Sequence, residues 1–271
     1  MTQSSASPEL EITLFQGTGS DGLGNLIYKA CEGNSEYLIK LYRPRWRGWQ
    51  EFTEPLFARL VIGTTGRDTR SRHATERAAL KLWAREGFDV PRVFDKPLPP
   101  NFDPPALWIE FCPGPLLVDV LCDETVSWEE KARHLTRLGK ELGRRHQRAM
   151  ELAEPLLIQK HGSIVHTLLY QDRMVTIDLE GSFQPGFDLT EALAQELSGY
   201  LRSIAKHSEG KVDQAFQAFI HGYPSHELLK KITHWGAFGK SLRRSITRWS
   251  DQRKRSENSK TEVMERVHKL L

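Results

Sequence analysis

The sequence predicts an α+β protein of two lobes: an antiparallel β-rich first lobe with one main helix, and a mostly helical second lobe. Three observations carry this expectation. Apolar and polar residues alternate near the N-terminus, in Leu10/Ile12/Leu14, in "NLIYKAC" and in "EYLIKLY", with the two-residue period of half-buried strands. From Trp128 onward the period becomes helical, placing Ala132, Leu135, Leu138, Leu142 and His146 on one face. Between the two regimes lies a connector containing Pro113 and Pro115, so the expected lobes are residues 1–112 and 113–271.

Along the chain, Met1–Pro8 reads as a polar tail. The first strand leads into "GTGSDGLG" (Gly17–Gly24), and the second and third strands are joined by the turn "EGNS". These three runs form an antiparallel meander. A long polar and aromatic insert, Arg43–His73, follows. Ala74–Glu86 reads as a helix with Ala78, Leu82 and Trp83 on its apolar face and Gly87 as its stop. "FDVPRVFD" and "ALWIEFCPG" read as two further strands around a Pro-rich loop. In the second half a short β segment, "TLLY…MVTIDLE", interrupts the helices.

With 39% apolar and 27% charged residues in 271, the chain can bury a core and is not of disordered composition. The net charge is only +3, but basic residues cluster at Arg43–Arg47, Arg67–Arg77 and Lys240–Arg255. Such patches suit phosphate-bearing ligands or an anionic membrane surface, and no nucleic-acid partner is expected. Cys31, Cys112 and Cys122 lack metal-ligand spacing and read as reduced thiols. The start carries no secretory pattern and no apolar run approaches the roughly 20 residues of a membrane span. A cytoplasmic location is expected.

Several residues could carry chemistry. Gly17, Gly19, Gly22 and Gly24 stand between two strands, where backbone N–H groups can approach a polyphosphate; a plain hairpin turn would use the same residues. Lys40 lies inside an apolar strand, facing either solvent or a phosphate and a carboxylate on the next helix. Glu76 is that carboxylate, read as lying in the helix's first turn, where the helix dipole alone would also favour it. Asp178 ends a short apolar run with Glu180 two residues on. Hard oxygen donors at a strand end facing a cleft are what Mg²⁺ requires. His166 stands about a dozen residues upstream of Asp178 and reads either as a ligand or as a packed core residue.

Together these segments resemble the protein-kinase-like fold, and within it the bacterial lipopolysaccharide core kinases that act on heptose and Kdo (3-deoxy-D-manno-octulosonic acid). The likeness runs from about Leu14 to about Tyr223. "YLIKLY" resembles the strand carrying the ATP-phosphate lysine. "RGWQEFTEPLFARLVIG" followed by "ATERAALKLW" resembles the heptose-kinase insert and Glu-bearing helix. "LWIEFCPG" resembles the adenine-contacting hinge, which brings Glu110 into the nucleotide site. "SIVHTLLY" resembles the segment in which a His replaces the usual metal-binding Asn, and "VTIDLEG" the strand ending in the metal-binding Asp. The resemblance implies ATP and Mg as cofactors, with His166 and Asp178 holding the metal.

No catalytic Asp precedes this segment. Aligned on "SIVHTLL", His161 falls at the catalytic Asp position. Aligned instead on the "HGD" of small-molecule kinases, Ser163 replaces that Asp and Leu168 the Asn. The first register keeps a metal-capable residue and a spacing to Asp178 nearer the kinase norm. In both, the general base is not a carboxylate.

Two further groups bear on partners. Phe238, Leu242, Ile246 and Trp249 form an apolar stripe on a basic segment. It suits either packing on the second lobe or an in-plane contact with the inner membrane. Arg43, Arg45, Arg47, Trp46 and Trp49 could grip an anionic sugar acceptor or form a solvated insert. The expected function is ATP-dependent phosphorylation of a sugar or glycolipid. The alternative is a catalytically impaired pseudokinase regulating envelope biosynthesis.

Overall fold

The computed structural model describes residues 10–17, 24–44, 68–100, 102, 105–208, 210–239 and 259–271. The β-lobe is a five-stranded antiparallel sheet of order β1-β2-β3-β5-β4. Its strands are β1 (Leu10–Gly17), β2 (Leu26–Glu32), β3 (Ser35–Leu41), β4 (Val93–Phe94) and β5 (Ala106–Glu110). The meander forms with Ile27 opposite Lys40, and Lys40 in turn opposite Leu107 on β5. β1 carries an irregularity between Leu14 and Gln16. Of "FDVPRVFD", only Val93–Phe94 is strand.

Alternation along β3 gives the sheet two different faces. Ile39 packs with Ala30 and Trp108 in a small outer cluster, while Leu38 joins the main core. Lys40 shares the Leu38 face and is only 6% exposed. Its strand therefore aims it inward, at the helix that follows and packs across the sheet.

That helix, α1 (Thr69–Arg85), begins five residues earlier than the sequence pattern suggests, because Asp68 caps it by accepting from Ser71 N at 2.9 Å. Glu76 consequently lies mid-helix and not in the first turn, so the helix dipole does not explain it. The inward face is also rotated from the expected one. Arg72, Glu76, Ala79, Leu80 and Trp83 are buried, whereas Ala78 is exposed. A buried Arg and a buried Glu masked the true stripe.

The second lobe contains α2 (Leu117–Cys122), α3 (Trp128–Leu152), α4 (Leu189–Lys206), α5 (Val212–Gly222), α6 (His226–Phe238) and α7 (Lys260–Leu270), with the hairpin β6 (Thr167–Tyr170) and β7 (Arg173–Thr176) between α3 and α4. Ser127 caps α3, and Leu135, Leu138, Leu142 and His146 are buried along it as the spacing predicts. Buried apolar residues from α1 through α7 form one continuous core that joins the two lobes. No helix among the described residues is long and apolar enough to cross a membrane.

Helices α3 and α5 touch backbone to backbone through glycine. A Cβ on Gly139 would sit 2.1 Å from Phe219 O, and one on Gly222 would sit 1.8 Å from Thr136 O. Neither neighbour is a flexible side chain that could move aside. Gly139→Ala should therefore cost about 1–3 kcal/mol by overpacking, although alanine is the better helix former. Chemical denaturation would report it, and a stabilised variant would show that the helices can separate.

Gly19, Gly22, the insert bearing Arg45, Trp46, Arg47 and Trp49, and the basic segment with Leu242, Ile246 and Trp249 lie outside the described residues. Phe238 ends α6 and is 49% exposed.

Candidate active site

Three elements converge below the sheet. β3 delivers Lys40, α1 delivers Glu76, and the segment after β7 delivers Asp178. Lys40 Nζ donates to Glu76 Oε1 and Oε2 at 3.0 and 2.7 Å and to Asp178 Oδ1 at 3.0 Å. Glu180 Oε2 lies 3.8 Å from the same ammonium. Tyr42 OH donates to Glu76 Oε2 at 2.5 Å. Burial alone would lower the Lys40 pKa, but the charges of Glu76 and Asp178 outweigh it and raise it above the ordinary lysine value. The ammonium is thus fixed in its charged form.

Asp178 adopts φ 62, a left-handed conformation that costs a non-glycine residue roughly 1–3 kcal/mol and persists only where the surroundings impose it. Here Ile177 N donates to His166 O at 2.9 Å. Gln159 Nε2 donates to Ile177 O and Asp178 O at 3.0 and 3.3 Å. Tyr200 OH donates to Gln159 Oε1 at 3.0 Å, and Gln159 N donates to Glu196 Oε1 at 2.9 Å. The carboxylate is aimed by a chain of contacts that starts deep in the helical lobe.

His166 Nδ1 is 3.8 Å from Asp178 Oδ2. Burial lowers its pKa despite the attraction of Asp178, so near neutral pH the imidazole keeps a lone pair for a ligand. Glu76, Asp178 and Glu180 each offer an oxygen within 4.8 Å of the others. This hard, anionic donor set fits Mg²⁺. All three carboxylates already meet a cation, Glu76 and Asp178 through Lys40 and Glu180 through Arg72; Asp178 is the most accessible of them and has His166 beside it, so it is the group best placed to hold a metal.

The cluster borders a cavity of about 750 Å³ between the lobes. Ile27, Leu38, Leu80, Ile109, Leu168 and Ile177 give it apolar walls, and such a volume suits a nucleotide-sized ligand. Gly24, at φ 84, lines it too, and Gly17 ends β1. Glu110 lines the cavity, but its carboxylate accepts from Arg173 Nη1 at 2.8 Å and from Arg92 N at 3.1 Å.

The two candidate bases, by contrast, are not in the cavity wall. Ser163 Oγ donates to Ser203 Oγ at 2.9 Å and accepts from Val165 N, capping the 3₁₀ turn Ile164–His166. His161 is exposed and stands beside Gly181, next to the acidic segment.

Sequence reasoning missed several contributors. Arg72 sits one helical turn before Glu76 on the same face and binds Glu180 Oε2 through Nε and Nη2 at 3.2 and 2.9 Å. The i, i+4 spacing of Arg72 and Glu76 could have revealed it. Tyr42, two residues beyond Lys40, could have been found from strand alternation. Asn25, Gln159 and Glu196 gave no sequence signal, because long-range contacts alone recruit them.

This arrangement, an antiparallel sheet with α1 packed on it above a cleft and a helical lobe below it, is an α+β fold of two lobes. No described protein family's profile matches the chain, and no curated protein matches its sequence. Solved structures do. A protein assigned as a fructosamine-3-kinase from Haemophilus somnus 129PT is 11% identical, covering 97% of this chain and 92% of that one, with a TM-score of 0.41. Spectinomycin phosphotransferase APH(9)-Ia, solved with ADP and spectinomycin, is 12% identical over 94% of this chain and 92% of that one, with a TM-score of 0.40.

Proposed function

We propose that the chain is a nucleotide-binding, kinase-like phosphotransferase whose cleft takes ATP with Mg²⁺, of the type that phosphorylates lipopolysaccharide inner-core sugars. One observation carries this reading: a buried ammonium, Lys40, bridges a carboxylate of each lobe at the border of a nucleotide-sized apolar cavity. The apolar walls suit a base, and Lys40 supplies fixed positive charge for phosphate. A metal bound at Asp178 would neutralise the charge that builds up on the phosphates. Phosphoryl transfer depends mainly on such positioning and charge stabilisation.

His161 is the residue proposed to meet the acceptor hydroxyl. An imidazole can accept its proton but brings no negative charge, and base assistance contributes about 10²–10⁴-fold in rate. Slow transfer is the expected consequence. The acceptor proposed is a sugar or glycolipid at the cytoplasmic face of the inner membrane, with the basic segment around Lys240–Arg255 as the membrane contact.

A second reading, a regulatory pseudokinase, is favoured by a specific observation: neither His161 nor Ser163 is a carboxylate, and neither lines the cavity. Labelled ATP, Mg²⁺ and inner-core glycolipid separate the two readings. Label in the glycolipid, lost in Asp178→Ala, supports transfer. Nucleotide binding without label in any acceptor supports the regulatory reading.

A further inference from the structure

Beyond Lys40, a second charged bridge joins the lobes. Arg72 is fully buried and Glu180 is 3% exposed. The Arg72 guanidinium binds Glu180 Oε2, reaches Arg43 O at 2.9 Å through Nη1 and Asn25 Oδ1 at 2.5 Å through Nη2. Asn25 Nδ2 in turn donates to Glu180 Oε2 at 2.9 Å. One side chain of α1 thus ties together the start of β2, the chain beyond β3 and the acidic segment after β7.

We infer that Arg72 is a positioning residue that, through Glu180 and Asn25, sets the cleft in its nucleotide-receiving geometry before any nucleotide enters. This rests on the nucleotide reading above and deepens it. Arg72 and Glu76 lie one turn apart on α1, and Glu180 and Asp178 lie two residues apart on the acidic segment. Two parallel bridges, Arg72–Glu180 and the Lys40-mediated Glu76–Asp178, therefore clamp the same two elements. Two such ties oppose rotation of α1 about either one. The Arg72 charge also offsets one of the three carboxylates gathered around Lys40, lowering their mutual repulsion. Asn25 and Gly24 both line the cavity, so the bridge also fixes the end of the glycine-bearing hairpin facing the cluster.

Removing one partner would strand a buried charge and measure stability alone. Replacing both with apolar residues of similar length often leaves a protein as stable as before. Calorimetric titration of ADP into the wild type and into the Arg72→Met/Glu180→Met double variant is therefore the test. The expected result is an unfolding midpoint near that of the wild type with ADP affinity reduced roughly ten- to a hundredfold, as for other residues that orient a ligating group. Unchanged affinity would overturn the inference while leaving the nucleotide reading intact. A wild type that binds no ADP would remove both. Should the double variant not fold, hydrogen exchange on the wild type decides. Amides of Thr69–Arg85 and of residues 177–181 should be protected equally with and without ADP. Protection that appears only with ADP would contradict a preset cleft.

Discussion

Glu196→Ala should destabilise the helical lobe by about 3–5 kcal/mol, the cost of stranding a buried charge, lowering the unfolding midpoint by roughly 6–20 °C. Arg145 grips Glu196 with two hydrogen bonds of 3.1 and 2.8 Å and also donates to Leu157 O at 2.5 Å. His146 Nε2 meets Glu196 Oε2 at 3.1 Å while its Nδ1 meets Tyr223 OH at 2.7 Å. Glu196 and His146 are both fully buried. Without the carboxylate, Arg145 keeps its charge but loses its counter-ion, and Gln159 loses the acceptor that anchors it.

The same network fixes the response to acid. Burial lowers the His146 pKa, against the pull of Glu196. Burial alone would raise the Glu196 pKa, but Arg145 and His146 outweigh it and lower it. Both groups bind protons more readily when unfolded, so acid favours the unfolded chain. Their stabilisation is present at neutral pH. It is lost first as pH falls below the ordinary histidine value and further as pH falls through the carboxylate range. Unfolding midpoints measured from pH 8 to pH 4 should fall on the acid side, and Glu196→Gln should flatten the lower part of that curve. A flat wild-type profile would mean the network does not titrate on unfolding.

Lys40→Met should abolish nucleotide binding and also weaken the fold. In the wild type, ADP at a hundredfold excess over its Kd should stabilise the protein by about 2.7 kcal/mol, and the variant should show no shift. Glu76 is 3% exposed, so losing Lys40 leaves it beside Tyr42 with no ammonium to balance its charge. A Lys40→Met/Glu76→Gln variant removes that strain and isolates the ligand effect. If the double variant still gains stability from ADP, Lys40 is a structural cation and phosphate binds elsewhere.

Much of this was legible from sequence where local pattern and packing agree. Strand alternation gave the β2–β3 pairing that carries Lys40, and helical spacing gave the buried face of α3. The short apolar run before Asp178 marked the acidic segment. Legibility failed where burial contradicts polarity. Arg72 falls in the expected insert and Glu76 in the expected first turn, so neither marks the buried face of α1, and the helix start is misplaced. It failed again where a role is created by distance in sequence. Gln159, Tyr200 and Glu196 hold the Asp178 backbone in its left-handed turn through contacts that no spacing rule contains. Ser163 shows a further limit, since spacing alone does not reveal that this hydroxyl caps a turn.

Diffraction from crystals grown with Mn²⁺ and a non-hydrolysable ATP analogue would locate the nucleotide and its metal in the cleft. The triphosphate should lie against Lys40, with anomalous signal on Asp178 and within ligand distance of His166, and the base among Ile27, Leu38 and Ile109. An analogue bound away from this cleft, or a Lys40–Asp178 contact unchanged beside an empty cavity at saturating analogue, would contradict the nucleotide reading.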